Sequence, residues 1–121
     1  MSAHRQHPHD DVDIRHLPDE HAFALYDGDA RIGRIDYARE GTGSDSVIDL
    51  HHTEVDKEYG GRGLAGRLVR TAADHFAAEA DQPRLKATCP YARGWLSRHT
   101  EDYGRIFDPE FMKRLQGEAS E

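Results

Sequence analysis

Cysteine, lysine and tryptophan are nearly missing from this chain of 121 residues: it holds one cysteine, three lysines and one tryptophan. A single thiol, Cys89, excludes an internal disulfide framework. Apolar residues never run for more than a few positions, so no segment suits a membrane span. No charged-then-apolar leader opens the chain. No membrane partner and a cytoplasmic location are therefore expected. Positive charge is also scarce, with 16 Lys and Arg against 23 Asp and Glu and a net charge of −7. A duplex binder needs a dense basic face, so no nucleic-acid partner is expected. The acidic balance fits solubility or a cationic substrate. The length allows one domain with one modest core.

Residues 1–18 read as a polar, His-rich tail. His7 and His9 are not joined by a cysteine or a second close ligand pair, so no metal site is expected. Residues 19–107 read as the folded domain. Strands are predicted at 21–26, 31–38 and 46–55, joined by Asp27-Gly28-Asp29-Ala30 and by a polar glycine loop at 40–45. In the third strand Val47 and Val55 share one parity and Ile48 and Leu50 the other, which predicts cover on both faces. The three strands form an antiparallel meander. Leu64, Leu68, Val69, Ala72, Ala73 and Phe76 recur at helical spacing, predicting a helix from about 62 to 80. His75 reads as a solvated residue of that helix. A short strand at 84–88 follows, completing a β-α-β crossover with parallel strands. A second helix is expected from Pro90, with Tyr91, Trp95 and Leu96 on its apolar side. Residues 108–121 read as a polar tail with one helical turn near Phe111 to Leu115. The fold class is α/β.

Between the third strand and the long helix lies Glu58-Tyr59-Gly60-Gly61-Arg62-Gly63-Leu64-Ala65-Gly66. Glycines let a backbone turn sharply and approach a ligand. The first N–H groups of a helix lack partners and carry the positive end of its dipole. Together these features suit a phosphate, and Arg62 adds charge at the rim. No Gly-Lys-Ser/Thr follows, so this is not a Walker loop. The meander before it also argues against a dinucleotide fingerprint.

The stretch Gly60-Gly61-Arg62-Gly63-Leu64-Ala65 resembles motif A of the GNAT superfamily of N-acetyltransferases, Arg/Gln-x-x-Gly-x-Gly/Ala. Gly63 and Ala65 match its last two positions, and Gly60 stands where Arg or Gln is usual. Across about 21–107 the chain resembles minimal single-domain GNAT-like proteins through three features in order. These are His52-Thr53-Glu54-Val55, the glycine loop, and Cys89-Pro90. The corner His99-Thr100-Glu101-Asp102-Tyr103 departs from the usual His-Pro-Glu-Tyr. The resemblance implies a GNAT-like fold in which strands 46–55 and 84–88 splay apart. It implies acetyl-CoA as cosubstrate, its pyrophosphate on Gly60, Gly61, Arg62, Gly63, Leu64 and Ala65. Its pantetheine pairs with the backbone of Thr53, Glu54 and Val55, and Val55 N–H polarises the thioester carbonyl.

Two residues are candidates for catalysis. Cys89 precedes a helix start, which favours its thiolate. It either takes the acetyl group transiently or shapes the pocket. His52 is the first choice of general base, with Glu54 on the same parity as the second, and Tyr103 as a candidate acid. The reading is an N-acetyltransferase acting on a primary amine, in a small molecule or a peptide. The alternatives are a non-catalytic acyl-CoA- or partner-binding module, and a nucleotide-phosphate binder using the loop.

Overall fold

Alternation of apolar and polar residues builds five strands, and helical spacing builds the elements that cover them. A computed structural model describes residues 12–119. The strands are β1 (Val12–Leu17), β2 (Ala22–Asp27), β3 (Ala30–Glu40), β4 (Val47–Val55) and β5 (Arg84–Ala87). The helices are α1 (Leu64–Ala77), α2 (Pro90–Ser97), the short α3 (Thr100–Tyr103) and α4 (Pro109–Ala119). The sheet order is β1-β2-β3-β4-β5. The first four strands pair antiparallel and β4 pairs β5 parallel, with α1 as the crossover. The fold is α/β, as the sequence predicts.

One face of the sheet carries Phe23, Leu25, Ile35, Tyr37, Ile48 and Leu50, all buried. Leu68, Val69, Ala72, Ala73 and Phe76 of α1 lie fully buried in the same core. Phe76 meets Phe23 and Tyr37 edge to face, at 6.0 and 5.0 Å between ring centroids. Burying one such side chain contributes about 1.5–3 kcal/mol. The opposite face is polar: Arg34, His52 and Glu54 there keep 42%, 51% and 60% of their side-chain surface exposed.

That asymmetry corrects the expected two-sided cover of β4. Asp36 pairs with His52 but Tyr37 pairs with Leu50, so His51 is an extra residue, a β-bulge. A one-residue insertion exchanges faces downstream. Thr53 and Val55 therefore join Ile48 and Leu50 on the α1 face, whereas Val47, Asp49, His52 and Glu54 share the polar face.

Both expected tails contain structure. Val12–Leu17 is an edge strand, with Val12 buried and His16 stacked on Phe23 at 4.3 Å. His4, His7 and His9 lie outside the described residues. Residues 109–119 form a helix of three turns, not one. Its Phe111 and Leu115 are buried, and Phe107 pairs with Leu85 beside β5. His75 is partly exposed, but its ring packs on His16 and Phe23 at 4.5 and 5.4 Å. In α2 the buried residues are Ala92, Trp95 and Leu96, while Tyr91 is exposed. No described helix is long and apolar enough to cross a membrane.

Candidate functional site

The site grows from the place where two parallel strands stop pairing. β5 ends at Ala87, opposite Leu50, whereas β4 continues to Val55. The carbonyl of Leu50 accepts from both Thr88 N–H (3.2 Å) and Cys89 N–H (3.1 Å). Asp49, a buried carboxylate, accepts from Thr88 N–H at 2.9 Å and from its hydroxyl at 3.1 Å. These bonds clamp the strands at one level. Beyond it the chain after β5 turns into α2, and β4 runs on with β3 on one side only.

The backbone of β4 past the clamp is partly uncommitted. Asp56 N–H donates to Ile32 C=O at 2.7 Å, which sets the alternation of the β3–β4 ladder. Glu54 and His52 turn their backbone groups towards β3, and Thr53 and Val55 turn theirs towards the gap. Thr53 and Val55 are thus placed for an extended ligand, whereas the backbone of Glu54 is occupied by β3. This removes Glu54 from the expected set of backbone partners. Its side chain instead stands on the polar face.

The glycine loop closes the far end of the gap. Lys57–Tyr59 form a single 3-10 turn, and Gly61 and Gly63 follow in the left-handed region at φ +76° and +74°. Only glycine adopts these angles readily. A Cβ at either would meet nothing within 4 Å, so both backbones border open space. Gly63 is the N-cap of α1 and provides no side-chain cap. The first α1 bond runs from Arg67 N–H to Gly63 C=O, leaving Leu64, Ala65 and Gly66 N–H without intrahelical acceptors. Tyr59 holds the loop in place: its hydroxyl donates to Asp27 at 2.5 Å, and Arg62 lies over its ring at 5.6 Å. The bond to Asp27, with burial, raises the Tyr59 pKa.

Gly66 has a role that its glycine-cluster setting conceals. A Cβ there would sit 3.0 Å from Trp95 Nε1 and 3.4 Å from the Tyr91 hydroxyl. Its absence lets α2 approach α1 beside the loop. The signal in the sequence is a glycine inside a helical pattern.

The structure separates the two predicted catalytic residues. Cys89 is the N-cap of α2 and is 5% exposed. Its thiol donates to Thr53 Oγ1 at 3.4 Å, at the closed end of the gap. His52 stands on the polar face, where its Nε2 lies 2.9 Å from Glu54 Oε1. The hydrogen bond from His52 holds the Glu54 carboxyl below its ordinary pKa. Tyr103 is not free to act as an acid on this gap. It is buried, its hydroxyl donates to Asp74 at 2.5 Å, and it accepts from Arg70 at 3.1 Å. Burial first, then the bond to Asp74, pushes its pKa up to about 12. The altered corner serves to fasten α3 to α1. No group of three or more metal-ligating side chains occurs among the described residues.

Comparison with known proteins agrees with this geometry. Residues 22–106 match the family described as GCN5-related N-acetyl-transferase. Protein NATD1 of Homo sapiens is 38% identical over 72 residues, covering 58% of this chain and 54% of that protein. NATD1 of Bos taurus is 36% identical over 70 residues, covering 58% and 54%. The chain spans about half the length of the curated relatives it matches. Among solved structures, ribosomal-protein-alanine N-acetyltransferase from Brucella melitensis biovar Abortus 2308 superimposes with a TM-score of 0.54 at 16% identity. That match covers 74% of this chain and 89% of the other, and it is a likeness of fold.

Proposed function

The chain belongs to the GCN5-related N-acetyltransferase family, and from that premise we propose that it transfers an acetyl group from acetyl-CoA to a primary amine. One observation carries the reading: the open edge of β4 leads directly into the uncapped start of α1. A pantetheine arm would pair along Thr53 and Val55, and the pyrophosphate would meet the N–H groups of the glycine loop. Thr53 lies two residues nearer the clamp than Val55, about 7 Å at the rise of a strand. The thioester end of the arm falls at that closed end, so Thr53 N–H, not Val55 N–H, is placed to polarise its carbonyl.

The acceptor amine comes from the polar face. Its nitrogen attacks the thioester carbonyl carbon, the C–S bond breaks, and coenzyme A leaves as thiolate. His52, held by Glu54, takes the proton released by the amine. Cys89 lines the pocket, because its thiol is engaged with Thr53 on the other side of the sheet from His52. The acceptor is a small molecule or a peptide carrying that amine.

A second reading, an acyl-CoA-binding module without turnover, is favoured by one observation. Tyr103 is tied to Asp74 and supplies no acid to the leaving thiolate. Mass spectrometry after incubation with acetyl-CoA and a panel of amines and basic peptides separates the two. Transfer predicts acetylated acceptor and no acetyl group on Cys89. Bound coenzyme without product would support the module, and acetyl-Cys89 would restore a covalent route.

A further inference from the structure

Several arginines in this chain sit against carboxylates. Arg15, Arg31, Arg34, Arg39 and Arg114 pair with Asp13, Glu20, Asp36, Glu79 and Glu110. Arg67 and Arg98, like Arg62, Arg84 and Arg105, have no carboxylate ion pair among the described residues, although the chain carries a net charge of −7; what sets the first two apart is that they share a groove. Both line one open groove of about 410 Å³ between α1 and α2, which begins at Gly63 of the glycine loop. Arg70 adds a third guanidinium, over the Trp95 ring at 5.1 Å, bonded to Tyr103 and paired with Asp102 at 3.8 Å. Tyr91, exposed, forms part of the wall, and no carboxylate lines the groove.

The groove gathers positive charge beside the start of α1. The first turn of a helix favours carboxylates, and α1 has none there. Arg67 stands in that region instead, and Arg98 ends α2 across the groove. A multiply charged anion in the groove would meet both guanidiniums and the positive end of α1. Guanidinium pairs suit phosphate oxygens through forked hydrogen bonds.

We propose that this groove is a phosphate-monoester site that reads the 3′-phosphate of coenzyme A, an inference that rests on the coenzyme reading above. The spacing agrees. Arg67 lies four residues past Gly63, roughly 6 Å along the axis at 1.5 Å per residue. That is the scale of one ribose between a 5′-diphosphate and a 3′-phosphate. The groove therefore selects coenzyme A over its 3′-dephospho form, with Arg67 and Arg98 as the selecting residues.

Calorimetric titration of acetyl-CoA and 3′-dephospho-acetyl-CoA tests this. The wild-type chain should prefer acetyl-CoA at least tenfold, and the preference should shrink as salt rises. Arg67→Gln and Arg98→Gln should each reduce it. The double variant should bind both forms alike, at the affinity the wild type shows for the dephospho form. Equal wild-type affinities, or variants that weaken both ligands equally, would overturn the proposal while leaving the coenzyme reading in place. Binding of neither form would instead remove the coenzyme reading, and the proposal with it.

Discussion

His52 and Glu54 are two residues apart on one strand, and the bulge at His51 puts both on the polar face. Their 2.9 Å contact fixes the imidazole on that face, from which the acceptor amine would come. His52→Gln should therefore lower kcat about a hundredfold at neutral pH while changing acetyl-CoA affinity less than twofold. Steady-state kinetics and calorimetry on the same variant read both. Tyr103 gives a second expectation. Its phenol is favoured neutral in the folded chain, with a pKa raised from 10.0 to about 12. The stability this contributes is complete below pH 10 and is lost as pH rises towards 12. Denaturant unfolding across pH 9–12 should show that loss in wild type and a flatter profile in Tyr103→Phe. The Phe variant should be about 1 kcal/mol less stable at neutral pH, because the hydrogen bond from the buried hydroxyl to the exposed Asp74 is lost. These roles were only partly legible in the sequence. The His-Thr-Glu-Val stretch drew attention to His52, but nothing in the order of residues reveals that Asp74, one helix away, captures Tyr103.

Elements with strong periodicity were readable, and those set by register or sparse apolar residues were not. The helix from Leu64 announces itself through repeated apolar spacing. It starts two residues later than expected because Gly63 takes a left-handed cap. β1 escapes notice because Val12, Ile14 and His16 alternate with Asp and Arg inside a His-rich stretch. α4 escapes because Phe111 and Leu115 stand among charged neighbours, although Phe107, Phe111 and Leu115 keep a four-residue spacing. The bulge is a property of pairing between β3 and β4, so β4 alone cannot display it. Two outcomes belong to this scale. Gly63→Asp should weaken acetyl-CoA binding at least tenfold, chiefly through the negative charge it places beside the pyrophosphate at a φ of +74°. Gly63→Asn tolerates the left-handed angle and should lose less; equal affinity in wild type and a folded Asp variant would remove the loop from the site. β1 should be acid-sensitive. His16 packs against Phe23 and His75, near Tyr37, Arg39 and Glu79, and burial, then His75, lowers its pKa from 6.5. Its stabilising neutral form is fully present above pH 6.5 and is lost as pH falls through the lower folded value. Hydrogen exchange should show β1 amides opening faster on acidification, with the effect absent in His16→Phe.

At the scale of the whole molecule, the sheet divides two tasks between its faces. α1 and α2 lie on one face and bring the glycine loop, Thr53 and Cys89 to one gap. The other face stays polar and presents His52 and Glu54. Only a three-residue 3-10 turn, Pro18–Glu20, joins β1 to β2, so no helix from that connection covers the polar face. An acidic molecule with such a face suits a cationic acceptor. The account rests above all on where acetyl-CoA sits. Titrating acetyl-CoA into isotopically labelled chain and following backbone amide shifts measures that directly. The largest changes are predicted at Thr53, Val55, Gly61 through Gly66 and Cys89, with β1 and α4 little moved. No saturable shift, or shifts confined to β1 and α4, would contradict the account.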